Sequence, residues 1–154
     1  MGWVSVRQQI FDVSDMQDPK LTHKTTIGTR GTSSEALANH LAFTLFKDKL
    51  ALPMTICEGG TTQGGPGTDM TFSGLMVFDV SVNDGINERG RIEHPMADGS
   101  YDNKACSNWW TNASSVVQRS VFMDNFVYSI ANDVMRIQDL NTLGTDVTSV
   151  SLNR

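Results

Sequence analysis

An all-β chain built of repeated antiparallel strand units is what the sequence predicts, and three observations predict it. Apolar and polar residues alternate with a period of two in several short runs, which is the strand signature. Charged residues fill only 19% of the 154 positions, with thirteen Gly and abundant Thr, Ser and Asn in their place. That composition favours strands and turns over helices. Finally, a short motif recurs: Phe11-Asp12-Val13-Ser14 returns as Phe78-Asp79-Val80-Ser81, and more weakly as Ile137-Gln138-Asp139-Leu140.

The elements follow in order. Val4 to Ile10 reads as a strand leading to the Asp12 corner, and Leu21 to Ile27 as its partner after a polar turn. His40 to Phe46 and Leu50 to Cys57 are two apolar runs joined by the short polar loop Lys47-Asp48-Lys49, a hairpin pattern. Leu75 to Val77 enters the second copy of the motif, and Asn87 to Ile92 follows it. Val121 to Met123 and Phe126 to Ile130 flank Asp124-Asn125, residues suited to a two-residue turn. Here Phe126, Tyr128 and Ile130 point one way and Val127 and Ser129 the other. The third copy precedes the strand pattern from Asp146 to Leu152.

These pieces make a half unit at 4–28, a four-strand unit at 40–94, a loop insert at 95–117 and another four-strand unit at 118–152. Four antiparallel strands repeated radially form a β-propeller blade of about 40–45 residues. A sandwich or barrel with chance similarity between strands is the alternative, and recurrence of the Asp at one place in three units favours the propeller. Two and a half blades are fewer than the roughly four that close a ring. The chain therefore reads as a single segment of a partial ring, the C-terminal arc of a longer protein, with closure by several chains as the other route.

Twelve basic against seventeen acidic residues give a net charge of −5, which argues against a strongly basic nucleic-acid binder. No run of about 18 apolar residues suggests a membrane span. The first residues, Met1 to Arg7, lack the stages of a signal peptide, and Val6 stands where a myristoylation motif needs Ser or Thr. Cys57 and Cys106 lie too far apart for a CxxC redox or zinc motif. A bridge between them, or two buried thiols acting as small apolar groups, are both compatible with the sequence.

Polar groups are densest from residue 29 to 43. Thr32 and Glu35 form a T-x-x-E capping box, predicting a short helix from Ser33 to Asn39. Arg30 would pair with Glu35 or with carbonyls at a strand end, and His40 would enter the next strand facing a central channel. One reading makes Glu35, His40 and His94 a metal or acid–base site. The other makes Arg30, Glu35 and His40 a blade-to-blade latch, and it is favoured because a lone His with one Glu lacks ligand spacing. Asp12, Asp79 and Asp139 are read as acceptors for turn N–H groups. Asp15, Asp18, Asp84 and Asp98 sit in turns that do not fit an EF-hand loop, so no cofactor is expected and Ca²⁺ is without support. The glycine-rich stretch from Glu58 to Asp69 lacks the Gly-Lys-Ser/Thr ending of a phosphate loop and reads as a connection between strands. In the 95–115 insert, Tyr101, Trp109 and Trp110 either stack on a ligand or cap the core, with Cys106 tied to Cys57. Asn112-Ala113-Ser114 matches a glycosylation sequon. No G-x-S-x-G elbow is present for a serine hydrolase.

The run Ile27-Gly28-Thr29-Arg30-Gly31-Thr32-Ser33-Ser34-Glu35-Ala36-Leu37-Ala38-Asn39-His40-Leu41-Ala42-Phe43, together with Val77-Phe78-Asp79-Val80, Arg89-Gly90-Arg91-Ile92 and Arg119-Ser120-Val121-Phe122, resembles the secreted bacterial and archaeal proteins with a C-terminal β-propeller distantly related to WD40 repeats. Thr29 and Leu41 depart from that family's usual Asp and Lys. The resemblance implies an extracellular or envelope location and leaves the activity open. The expected function is a binding or scaffold module for a protein or carbohydrate, partnered by the remainder of its own ring. Arg30, Glu35, His40, His94, Trp109 and Trp110 are its candidate contacts, with neither nucleic acid nor a membrane span involved. The competing expectation is a hydrolase or metal-dependent enzyme at the channel mouth, carried by Glu35, His40 and His94.

Overall fold

The computed structural model describes residues 5–60, 65, 67, 69–94 and 116–152. Ten strands are found among them: β1 (Val6–Asp12), β2 (Lys20–Ile27), β3 (Thr44–Phe46), β4 (Lys49–Glu58), β5 (Asp69–Ser81), β6 (Gly85–Glu93), β7 (Val117–Met123), β8 (Phe126–Ala131), β9 (Val134–Asp139) and β10 (Asp146–Ser151). They form three sheets, β1-β2, β3-β4-β5-β6 and β7-β8-β9-β10, each an antiparallel meander of consecutive strands. This is the all-β architecture of a half blade and two full blades, and the described sheets leave the ring open.

The repeat seen in the sequence is a repeat of backbone geometry. The register of β1 with β2 slips between Ile10 and Phe11, leaving Thr22 unpaired. The register of β5 with β6 slips between Val77 and Phe78, leaving Arg89 unpaired. In the third sheet the slip falls at Ile137 and Gln138, leaving Val147 unpaired. Each sheet thus carries a bulge immediately before its corner Asp, which bends the strand and sharpens its twist. The bulge makes β1, β5 and β9 equivalent third strands.

Burial follows from stacking the sheets face to face in chain order. Leu50, Leu52, Met54, Met76 and Phe78 of the second sheet pack with Val6 and Ile27 of the first. From its opposite face, Ala51, Leu75, Val77 and Ile92 pack with Val117 and Val127 of the third. Covered on both sides, β4 is buried without interruption from Leu50 to Cys57 and β5 from Phe72 to Phe78. Strand β10, the edge strand of its sheet among the described residues, is exposed along most of its length.

Two sequence expectations are corrected. No helix runs from Ser33 to Asn39; a single 3-10 turn spans Glu35–Leu37, capped by Ser34, whose Oγ accepts from the Ala36 N–H at 3.2 Å. Thr32 cannot cap it, because its Oγ1 accepts from the Cys57 N–H at 3.0 Å and donates to the Cys57 carbonyl at 3.2 Å. Ser33 is held extended by a two-way backbone bridge to Thr55. Likewise, His40 does not enter a strand. It opens a second 3-10 turn, His40–Ala42, and the strand begins only at Thr44.

Candidate functional site

The polar residues at the sheet junctions are joined into latches. Arg89, pushed out by its bulge, donates from Nε to the Leu140 carbonyl at 2.8 Å and from Nη2 to Asn141 Oδ1 at 3.4 Å, both on the third sheet's corner. Its Nη1 is 3.2 Å from Asp79, which also takes Lys49 Nζ at 2.8 Å. Burial would raise the Asp79 pKa, but hydrogen bonds from Lys49 and Arg89 outweigh it and hold the carboxyl below its ordinary 3.8. Asp12 and Asp139 behave as expected, accepting from the Ser14 and Asn141 N–H groups at 2.9 and 2.8 Å. At the first junction His23 Nε2 donates to the Val82 carbonyl at 2.8 Å. Gly90 lies against Leu143 so closely that an added Cβ would fall 2.8 Å from the Leu143 Cβ.

His94 continues from β6 and is sealed between the second and third sheets, 1% exposed. Its backbone N–H donates to the Ser73 carbonyl, and its Nε2 shares a 2.6 Å hydrogen bond with Ser129 Oγ. Burial first, and then the Arg136 charge, push its pKa down to about 4. The buried imidazole, tied to a buried hydroxyl, joins the second and third sheets and is shielded from solvent. His40, by contrast, is exposed, and Glu35 lies half-buried on its own turn. Among the described residues no three His, Cys, Asp or Glu side chains gather to hold a metal, so Glu35, His40 and His94 do not form the sequence-predicted centre there. The ion pairs among the described residues do not join Arg30 to Glu35; the Arg30 carbonyl accepts from the Gly67 N–H at 2.6 Å. Cys57 is buried and disulfide-bonded. Cys106, Tyr101, Trp109, Trp110 and the Asn112 sequon lie outside the described residues.

Clefts open between these elements among the described residues. One of about 510 Å³ lies between the second and third sheets, with Phe72, Arg91, Glu93, Arg136, Gln138 and Asp146 in its wall. Its charges are held in place. Arg91 grips Glu88 with two bonds of 2.6 and 3.0 Å while its guanidinium lies 5.3 Å from the Phe72 ring centre, and the Glu88 carboxylate holds it more firmly charged. Arg136 pairs with Asp146 at 3.1 Å and donates to the Glu93 carbonyl. The buried Gln138 donates to Asp146 at 2.7 Å and accepts from the Gly144 N–H at 2.7 Å. A second cleft, about 450 Å³, lies beside Ser33, Glu35, Ser73 and Gly74. The third is an apolar groove of about 470 Å³ along β1.

A family model described as "Beta propeller domain" matches residues 2–143. The chain belongs to that family. Comparison with curated proteins and with solved structures returned no match. Sequence reasoning placed the propeller's strands and corner Asp residues but passed over Arg89, Arg136, Gln138 and Ser129, which join its blades. For Arg89 a signal existed: it opens the Arg89-Gly90-Arg91-Ile92 run that carries part of the family resemblance. Nothing comparable marked Ser129, which in sequence is one small polar residue in an alternating strand.

Proposed function

We propose that this chain is a binding or scaffold module of an extracellular or envelope β-propeller, its ring completed by further strands of the same propeller. Its ligand, a protein or a carbohydrate, occupies the cleft between the second and third sheets. The observation that carries this reading is the fixed charge of that cleft. Arg91 is clamped by Glu88 over Phe72, and Arg136 by Asp146. Donors already held in place lose little conformational freedom when a ligand arrives, and a guanidinium beside an aromatic ring suits a sugar hydroxyl face or a carboxylate-bearing side chain.

The test is a screen of the purified chain against oligosaccharide and peptide panels, repeated with Arg91→Ala. The ligand found should bind roughly tenfold more weakly to the variant, the size of one lost charge-assisted bond. A ligand bound equally by both proteins would place the site elsewhere. Cell fractionation tests location: the protein should appear in the medium or the envelope, and a cytosolic pool alone would overturn that part.

A further inference from the structure

Thr55 of β4 and Ser73 of β5 are cross-strand partners, and Ser33 is bridged to Thr55 from its other side. Directly paired residues present their side chains on one face of a sheet, so the three hydroxyls form a row across neighbouring stretches of chain. Strand alternation puts Thr55 with Ala51, and Ser73 with Leu75 and Val77, on the face that meets Val117 of the third sheet. Along this row lies the cleft of about 450 Å³, whose wall also includes Glu35, Pro53 and Val117. It shares no lining residue with the larger cleft of Arg91 and Arg136.

Nearby hydroxyls are committed to the fold. Ser34 donates to the Pro53 carbonyl and accepts from the Ala36 N–H, and Thr32 is held by Cys57. Those of Ser33, Thr55 and Ser73 are not committed: among the described residues they have no hydrogen-bond partner, and the Glu35 carboxylate has neither a hydrogen bond nor an ion pair. Thr55 is 6% and Ser73 2% exposed. Among the described residues the side-chain atoms both sealed and unpartnered belong to Gln8 and Ser120. The Thr55 and Ser73 hydroxyls are not sealed in this way, and they keep their small exposure toward the cleft they line. An unpartnered hydroxyl in a buried wall carries a penalty that a methyl group there would not. The fold alone therefore gains nothing from the row.

We infer that this cleft binds a primary ammonium group on an aliphatic stem, the chemistry of a lysine side chain or a free alkylamine. An ammonium carries three donors and no acceptor. The row offers hydroxyl oxygens to those donors, and the half-buried Glu35 supplies the opposite charge. Pro53 and Val117 give the methylenes of the stem an apolar wall. The net charge of −5 draws cations to the chain. A Ca²⁺ ion is matched less well, because it takes about six to eight oxygens with several carboxylates among them. Glu35 is the one carboxylate among the described residues of this wall.

Three probes test this against the whole chain, Glu35→Gln and Thr55→Val: Nα-acetyl-lysine methylamide, its Nε-acetylated neutral counterpart, and cadaverine. Binding is read from backbone amide shifts in NMR titrations. The lysine compound should bind and move the amides of Ser33, Thr55 and Ser73, and the neutral counterpart should bind at least roughly tenfold more weakly. Glu35→Gln should weaken the lysine compound by roughly tenfold, the size of one charge-assisted bond. Thr55→Val should weaken it about threefold and leave the Tm of the free protein unchanged or higher, which the loss of a structural hydrogen bond would not do. Tighter binding of the lysine compound than of cadaverine supports a lysine-bearing polypeptide as the source of the ammonium, and the reverse order supports a free amine. Equal binding of the charged and neutral lysine compounds would overturn recognition of an ammonium. No shift at Ser33, Thr55 and Ser73 at high millimolar concentration of either amine would overturn the site. A fall of several degrees in the Tm of Thr55→Val would show its hydroxyl held by the fold and overturn its role as a ligand group.

Discussion

Replacing Arg89 by Ala removes a side chain that ties the second sheet to the corner of the third. Its bond from Nε to the Leu140 carbonyl, at 2.8 Å, has a charged donor and contributes about 1.5 kcal/mol. Its pairing with Asp79 counts for less. With the two side chains 28% and 40% exposed, solvent reduces it to about 0.5 kcal/mol. Asp79 is not orphaned, because Lys49 remains 2.8 Å away. The expected loss is therefore about 2 kcal/mol, or roughly 5 °C in Tm for a chain of this size. The assay is urea denaturation of the chain, Arg89→Ala, Asp79→Asn and the double variant, from pH 7 down to 3. The depressed pKa of Asp79 means that its stabilisation is present above its ordinary 3.8 and is lost as pH falls through the lower folded value. Acidification should therefore cost the parent chain more than it costs Arg89→Ala. A loss under 0.5 kcal/mol by the linkage in denaturant (about a quarter of that expected), or identical acid profiles for the two proteins, would refute the latch.

His94 predicts a second pH dependence. Its folded pKa of about 4 lies below the ordinary 6.5, so stability should decline as pH falls from about 6.5 towards 4, by on the order of 3 kcal/mol in full. His94→Gln should flatten that decline, and an NMR titration of the imidazole should show no protonation above pH 5. Leu75→Ala, at a side chain with 0% exposure, should cost about 3 kcal/mol by urea denaturation, whereas Val150→Ala at 43% exposure should cost under about 0.5. Gly74→Ala places a Cβ 2.1 Å from the Ile92 carbonyl oxygen and should prevent folding or cost more than about 3 kcal/mol. Gly144→Ala meets no atom within 4 Å but keeps a φ of +103°, and should cost about 1 kcal/mol. Because Cys57 is disulfide-bonded, alkylation of the unreduced chain followed by mass analysis should label no thiol, and labelling of both cysteines would exclude the bridge.

The fold was legible where local chemistry dictates it. Asp124-Asn125 between two alternating runs fixes a tight turn, with Asp124 taking the positive φ of 52° that this residue tolerates. The repeated Phe-Asp and Gln-Asp steps mark the corners because each precedes the same change of direction. The 3-10 turns were not legible, since they depend on partners far along the chain. Ser34 also donates to the Pro53 carbonyl at 2.6 Å, and Thr32 is captured by Cys57, so the sequence's apparent capping box is dismantled by a neighbouring strand. The site was less legible still. His94 looks like a catalytic or metal-binding residue until its burial against Ser129 is known, and Ser73 looks like an ordinary small polar residue of a strand. Which face of a strand meets another sheet is a tertiary fact, and both residues take their meaning from it.

The sandwiching of β4 and β5 between two neighbouring sheets has a consequence for how the molecule opens. Each sheet is formed from consecutive chain and touches mainly the next, so stability propagates between nearest neighbours as in a short one-dimensional array. Among the described residues the middle member has two such couplings and the outer members one each. Thermal opening therefore peels from the flanks, with β10 and the β1-β2 pair exchanging their amide protons early. The amides of Ala51, Leu75 and Val77 are released only when the whole array melts.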